Sequence, residues 1–319
     1  MTSAIVTGGA GFIGSNAVNI LLDLGWSVFV VDKLTYAGDR SRLPSNVPLL
    51  EQDITQINWK ALLKEARPDY IINFAAETHV DRSIKNADSF LQSNCVGVYN
   101  IVQGLRNYTK EYNAKCVLIH ISTDEVYGDT SVGDRYEFSE SDMLLPNNPY
   151  SATKASADLL IRSCFCTYND FNYLIFRGSN NFGPNQHMEK FIPTVIRSAI
   201  QDLPVPIYGI GENIREWLWV EDFVKGIVHF SNLRNVVINL GSCVRLTNLE
   251  LVKKILSIMG KPESLIGFVP DRPGHDARYA LNSSWACSLG YEPTMLGSFD
   301  DRIKIVVEDI TKRMRQGER

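Results

Sequence analysis

Seven residues near the start, Gly8-Gly9-Ala10-Gly11-Phe12-Ile13-Gly14, narrow the choice of fold more than any other stretch. They follow the apolar run Ala4-Ile5-Val6-Thr7. They precede a helical pattern from Ser15 to Leu24 that puts Ala17, Ile20, Leu21 and Leu24 on one face. Gly25 stops that helix, and Trp26–Val31 is a second strand-like run that closes on Asp32. The order is strand, glycine turn, helix, strand, acid. Glycines let the backbone turn tightly and let a pyrophosphate approach the helix N-terminus, where free N–H groups and the helix dipole favour an anion. Gly8, Gly11 and Gly14, with Phe12 and Ile13 between them, are therefore expected to hold a dinucleotide. An acid about 20 residues beyond the glycines accepts hydrogen bonds from ribose hydroxyls. Asp32 in that place favours NAD over NADP, although Lys33, Arg40 and Arg42 stand close enough to weaken the preference.

The alternation continues. Leu49–Ile54 reads as a strand carrying Asp53, a partner for an adenine amino group, and Trp59–Glu65 as a short helix. Tyr70–Ala76 reads as a strand whose small residues Ala75 and Ala76 let a cofactor lie against the backbone. Ala87–Tyr112 reads as one long helix, and 116–121 as the next strand. Such a rhythm makes a parallel sheet covered on both faces, with ligands at the carboxyl ends of the strands. The expected class is α/β, a doubly wound Rossmann sheet followed by a smaller C-terminal substrate-binding domain. Residues 1–176 form the first unit, 213–240 return to it, and 177–319 mainly form the second. The chain has 319 residues, enough for such an arrangement.

A net charge of -4 gives no basic footprint for nucleic acid. The longest apolar runs are strand-length, so no membrane span is expected. The first residues enter a strand without a basic region, apolar region and cleavage site, which points to a cytoplasmic protein. Six scattered cysteines match no zinc-site spacing, so no metal is expected and the thiols are read as reduced.

The chemistry concentrates between Ile119 and Lys154. The strand there breaks into Ser122-Thr123-Asp124-Glu125-Val126-Tyr127-Gly128-Asp129, and Asn148-Pro149-Tyr150-Ser151-Ala152-Thr153-Lys154 reads as a helix start. Pro149 in the first turn puts Tyr150 and Lys154 on one helix face. A phenol of ordinary pKa about 10 is a poor base unless a cation favours its ionised form, and Lys154 at this spacing would supply one. Tyr150 would then take a proton from an alcohol as hydride leaves for a nicotinamide. Alone, Tyr-x-x-x-Lys is common by chance; beside the glycine turn and the strand end at Ser122 it gains meaning.

These segments resemble the extended short-chain dehydrogenase/reductases and, more narrowly, the dTDP-glucose 4,6-dehydratases. The resemblance runs almost end to end, through Thr7–Gly14, Asp32–Gly38, Ala75–Ser83, Ser122–Asp129, Asn148–Leu160, Arg177–Pro193, Ile207–Asp222 and Asp271–Tyr279. It implies NAD as cofactor, with Lys33, Thr35 and Ile54 joining the residues already named. It implies a dTDP-glucose or related nucleotide-hexose substrate, oxidised at C4, dehydrated across C5–C6 and reduced at C6. In this reading Glu125 removes the C5 proton, Asp124 protonates the departing C6 hydroxyl, and Thr123 bonds the C4 oxygen. Adjacent carboxyls in different protonation states suit that work. The epimerase and decarboxylase relatives generally lack the Asp-Glu pair, so those reactions are the disfavoured alternatives, while a UDP-hexose remains an alternative substrate. Ser83, Asn180, Glu189, Lys190, Pro206, Tyr208, Arg215, Asn248, Arg272 and His275 are expected on the nucleotide sugar. A guanidinium fork suits a diphosphate. The resemblance also implies a homodimer through the helix near 87–112 and the helix carrying Tyr150 and Lys154. Several positions depart from the family habit: Thr78, Gly178, Phe182, Asn185-Gln186-His187, Glu216, Trp219 and Phe223.

Overall fold

The computed structural model describes residues 1–271, 273–293 and 299–317. Strand β1 (Ser3–Thr7) runs into the glycine turn and then into α1 (Phe12–Asp23), and β2 (Ser27–Asp32) follows. The helix starts three residues before the apolar spacing indicated. Its first turn stands over the strand ends, where Phe12 and Ile13 line a cleft and Ile13 also packs against the core. Next come β3 (Leu49–Glu51), α2 (Trp59–Ala66), β4 (Tyr70–Asn73) and α3 (Val80–Lys85). Both β3 and β4 end three residues sooner than their apolar runs suggest. The residues beyond them, among them Ile54, Ala75 and Ala76, leave the ladder to line the same cleft.

The long helix expected from Ala87 has three sections. A single turn, α4 (Asp88–Phe90), passes through a π-helical stretch, Leu91–Val96, into α5 (Gly97–Tyr112). Buried Asn94 sits in the wide stretch, accepting from Glu77 N and donating to Glu77 O and Thr153 Oγ1. That side chain joins the loop after β4 to the helix bearing Tyr150 and Lys154. Widened turns of this kind recur beside functional sites.

Strand β5 (Val117–Thr123) ends in a tight turn, Asp124–Tyr127, and α6 (Pro149–Tyr168) follows after a long connection. Asn148 and Ser151 cap α6 reciprocally, and Pro149 occupies its first turn, so the start of this helix is fixed locally. The second half contains β6 (Asn172–Gly178), β7 (Asn180–Phe182), α7 (Phe191–Ile200), β8 (Val205–Tyr208) and β9 (Ile214–Trp219). It continues with α8 (Val220–His229), β10 (Val236–Leu240), β11 (Arg245–Thr247) and α9 (Asn248–Ile258). It closes with β12 (Ile266–Val269), α10 (Ser284–Ser288) and α11 (Phe299–Arg315).

Seven parallel strands form the main sheet in the order β3-β2-β1-β4-β5-β6-β10. Side chains alternate across it. Ile5, Ile71, Leu118 and Ile175 pack with Trp59 of α2, Leu105 of α5 and Ile161 of α6. On the other face, Val6, Ile72, Ile119 and Leu174 pack with Leu21 of α1 and Phe223 of α8. Each such side chain contributes about 1.5–3 kcal/mol on burial, so the two layers hold the strand ends rigidly in place. A third core, around Phe182, Trp217, Leu251 and Ile303, supports the smaller sheets β11-β9-β7 and β12-β8. Within 213–240, α8 and β10 lie on the main sheet, whereas β9 pairs with β7 and β11.

Three of the unusual positions have a packing explanation. A methyl group on Gly178 would stand 2.7 Å from the Phe223 ring, so the small residue and the large one are a single accommodation. Glu216 is fully buried and accepts from Ser242 N, Cys243 N and Arg245 Nε at 2.8, 3.1 and 2.9 Å. It shapes the loop after β10, where Cys243 adopts a left-handed conformation.

Candidate active site

The order of the strands reverses between β1 and β4, and the crevice opens there. Gly8 has φ +65°, and any side chain on it would come within 2.6 Å of Ala75 N. A methyl group on Gly14 would fall 2.1 Å from Gly8 O. These contacts leave bare backbone at the floor of the crevice. Gly11 caps α1 without a side-chain hydrogen bond, and the first turn holds no acid, so its N–H groups and dipole face the crevice. A dinucleotide pyrophosphate fits this cradle.

Asp32 is buried, and its two oxygens accept from Ala10 N and Leu34 N, both at 2.9 Å. This fixes the carboxylate at the edge of the adenosine half of the crevice, beside Lys33 and Thr35. The nearby cations are engaged elsewhere. Arg40 donates to four backbone carbonyls between Leu43 and Val47, and Arg42 to those of Ala10 and Ala37. Lys33 bonds Asp53 and Ser93. The competition with Asp32 that these cations suggested in the sequence is thus absorbed by local structure, and a ribose hydroxyl suits the site better than a 2′-phosphate. Asp53 itself accepts from Thr55 and Lys33, which outweigh its desolvation and hold its carboxyl below the usual range. Its neighbour Ile54 lines the crevice together with Ala75 and Ala76.

In the other half, Gly8, Gly11, Phe12, Ile13 and Gly14 face Ser122, Tyr150 and Lys154 across one cleft. Tyr150 is 7% exposed, packs edge-on against Phe90 and shares a hydrogen bond with Thr123. Burial pushes its phenol up, Glu125 and Asp124 add to that, and the Thr123 bond opposes it. Lys154 donates to Ile121 O at 2.5 Å. Burial lowers its ammonium to about 8, against the pull of Asp158. Its charge therefore faces the end of β5, and it is not among the groups shifting Tyr150 in the protein alone.

The acid pair is divided by its surroundings. Asp124 is 3% exposed, and its Oδ1 is 3.1 Å from Thr123 Oγ1. Burial, then the charges of Glu125 and Glu216, raises its carboxyl well above the usual range. Its Oδ2 has no hydrogen-bond partner among the described residues. Glu125 lies in the neighbouring cleft, 3.4 Å from the Tyr279 hydroxyl. Burial thus biases Asp124 toward its neutral form, while Glu125 stands on the wall of the adjoining cleft beside Tyr279.

That neighbouring cleft gathers most of the residues expected on the substrate: Asn180, Glu189, Lys190, Pro206, Tyr208, Arg215, Asn248 and His275. Arg215 bonds Asp276 O and Ile214 O and stacks over Tyr279, its guanidinium 4.4 Å from the ring centre. Ser83 lies behind the cleft. It is 1% exposed, donates to Val80 O and accepts from Tyr150 N, so it supports the start of α6. Arg272 lies outside the described residues. The cleft wall also includes residues that sequence reasoning did not assign to the substrate, among them Tyr279, Trp217 and His79. Tyr279 ended a segment already matched to the family, and its neighbours Arg278 and Ala280 gave no further signal.

Beneath the site lie two buried polar sets, which approach at His120 Nε2 and Asp158 Oδ1, 3.9 Å apart and not hydrogen-bonded. Thr7 Oγ1 donates to Asn73, and Asn73 Nδ2 lies 3.0 Å from His120 Nδ1. Asp158 accepts from Arg177 Nε at 2.9 Å, Arg177 bonds the Tyr127 hydroxyl, and that hydroxyl donates to Asn239. Burial and the Lys154 charge keep His120 well below the usual imidazole range, hence neutral. Among the described residues no cluster of three or more His, Cys, Asp or Glu could hold a metal ion, and no helix is long and apolar enough to cross a membrane.

Residues 4–241 match the model of the NAD dependent epimerase/dehydratase family. The chain belongs to that family. A low-salt glycan biosynthesis protein, Agl12, of Haloferax volcanii is 44% identical over 95% of this chain and 97% of its own. A dTDP-glucose 4,6-dehydratase of Xanthomonas campestris is 39% identical over 97% of this chain and 93% of its own. Among solved structures, DesIV, a dTDP-glucose 4,6-dehydratase of Streptomyces venezuelae with NAD and dTDP bound, matches with TM-score 0.88 and 35% identity, covering 98% of each chain. A UDP-glucose 4-epimerase of Thermotoga maritima reaches 0.89 at 26% identity, covering 98% of this chain and 100% of that one. The backbone is thus shared across reactions, and the choice between them rests on side chains.

Proposed function

We propose that this protein dehydrates dTDP-glucose to dTDP-4-keto-6-deoxyglucose with NAD. The observation that carries this reading is the separate placement of two adjacent carboxyls: Asp124 is buried, with its Oδ2 unpartnered among the described residues, and Glu125 lines the neighbouring cleft. The dehydratase relatives and the cradle at Gly8–Gly14 support it.

The crevice residues Gly8, Gly11, Asp32, Ala75 and Ala76 would hold the cofactor's backbone and ribose, and Tyr150 and Lys154 its reactive end. Bound NAD supplies a hydride acceptor for the C4 carbon and a donor for C6. Tyr150 removes the C4 hydroxyl proton, and the positive charge of oxidised NAD would lower the phenol that burial and the two carboxyls raise. Thr123, bonded to both Tyr150 and Asp124, positions the C4 oxygen between them. A ketone at C4 acidifies the C5 hydrogen, and Glu125 takes that proton. Asp124 gives its proton to the C6 hydroxyl, which leaves as water. Arg215, Lys190 and Asn180 bind the diphosphate, and Pro206, Tyr208, Asn248 and His275 the nucleoside.

The test is incubation of purified protein with dTDP-glucose and, separately, UDP-glucose, read by mass spectrometry. The expected product has lost one water, with no net reduction of NAD and a clear preference for dTDP-glucose. Absence of water loss from either sugar nucleotide would exclude dehydration of both.

The proposal includes a cytoplasmic homodimer. Leu91, Val96 and Tyr99, on the π-helical stretch and α5, and Leu159 and Tyr168 of α6 are exposed apolar residues on neighbouring helices. A second copy would cover them through the same faces. Sedimentation should give twice the 35.9 kDa chain mass, and a monomer at micromolar concentration would refute the dimer.

A further inference from the structure

The segment Pro184–Lys190, which includes the unusual Asn185-Gln186-His187, crosses from the second half of the molecule to the cofactor crevice. On its own side Gln186 O accepts from Arg313 of α11, and Asn185 N donates to Asp309 of the same helix. On the far side Pro184 O accepts from Asn16 of α1, and Lys190 donates to Thr78 O. Glu189 is the hub. Its carboxylate takes Arg82 of α3 at 2.7 Å, has His79 and His187 within 3.7 and 3.6 Å, and hydrogen-bonds the Tyr36 hydroxyl. The Arg82 guanidinium lies 3.9 Å from the centre of the Tyr36 ring, and His187 meets that ring edge-on at 5.3 Å.

The placement gives these contacts a meaning. The adenosine and nicotinamide halves of the crevice share a waist at Gly8, Gly11, Ala37, Phe74 and Ala76, where the pyrophosphate belongs. Tyr36 stands between Thr35, which lines the adenosine half, and Ala37, which lines both halves, while His187 and Glu189 line the nicotinamide half. We propose that Tyr36, Arg82, His187 and Glu189 form a strap across the waist that retains the dinucleotide through repeated turnovers. The inference rests on the assignment of this crevice to NAD. It has a chemical logic, because a hydride taken from C4 and returned to C6 must stay in the protein between the two steps.

A strap differs from a direct contact in its kinetics. It is a barrier to both entry and exit, so loosening it speeds both and changes affinity little. A residue that simply touches the ligand affects mainly the exit rate. The experiment loads the full-length protein with radiolabelled NAD, chases it with unlabelled NAD, and measures association separately by rapid mixing. Arg82→Ala removes both the ion pair and the stacking. Arg82 is 48% exposed at the side chain, so folding should survive. Tyr36→Phe removes only the hydroxyl and serves as the milder variant. Loss of one charged pair and one cation–π contact predicts about tenfold faster exchange for Arg82→Ala and about threefold for Tyr36→Phe. Association should quicken in parallel, with Kd unchanged within about threefold. Wild-type exchange rates in both variants would overturn the strap. So would faster dissociation with unchanged association, which marks a direct contact. Failure of the wild-type protein to take up NAD at all would overturn the assignment of the crevice along with it.

Discussion

Tyr150→Phe should lower turnover of dTDP-glucose by about 10²–10⁴-fold while leaving the protein folded. The ring keeps its edge-on contact with Phe90, and the backbone N–H keeps its bond to Ser83. Only the hydroxyl is lost, and with it the bond to Thr123 and the group that takes the C4 proton. The defect falls on the first chemical step. Mixing the variant with substrate in a single turnover should therefore give no reduced-nicotinamide absorbance. Wild-type formation of that signal would show that another group takes the proton.

Changes in the acid pair should give the opposite trace. Asp124→Asn and Glu125→Gln leave Tyr150 in place, so oxidation at C4 proceeds and reduced nicotinamide accumulates. Water loss should slow by about 10²-fold or more, since each variant removes one proton transfer. The two should also differ from each other. Burial makes a neutral Asp124 the favoured form, so asparagine there is close to isosteric and nearly neutral for stability. It keeps the hydrogen-bonding shape but has no acidic proton to give. Glu125→Gln should, in addition, stop exchange of the C5 hydrogen with solvent deuterium. Normal dehydration by both variants would remove the pair from the mechanism.

Much of this could be read along the chain because the relevant signals are local. The glycine turn, the acid ending β2 and the capped start of α6 each depend on a few consecutive residues. The limits of β3 and β4 were less legible. Apolar residues that line a cleft and apolar residues that fill a core look alike in sequence. The π-helical stretch inside the long helix depends on Asn94 reaching Glu77 and Thr153, and no periodicity records that. Ser83 shows the same limit in a site residue. Its motif pointed to the sugar, and three-dimensional packing put it under the helix instead. Asp124 and Glu125 are adjacent and chemically alike, yet the fold buries one and sets the other on a cleft wall.

The two buried polar sets under the site bear on how such a protein can diversify. Thr7, Asn73 and His120 are register partners on β1, β4 and β5, and Arg177 and Asn239 are partners on β6 and β10. Shifting any one of these strands by a residue would strand a polar group in an apolar layer, at a cost of about 1–3 kcal/mol or more. One set therefore works as an alignment key for β1, β4 and β5 and the other for β6 and β10, and the spacing of the reacting groups inherits their tolerance. The cleft beside Glu125 is walled instead by loops, by the starts of α3, α7 and α9 and by the two small sheets, which these keys do not include. Substitutions there can accumulate and retune which sugar is admitted while the reacting groups below keep their positions.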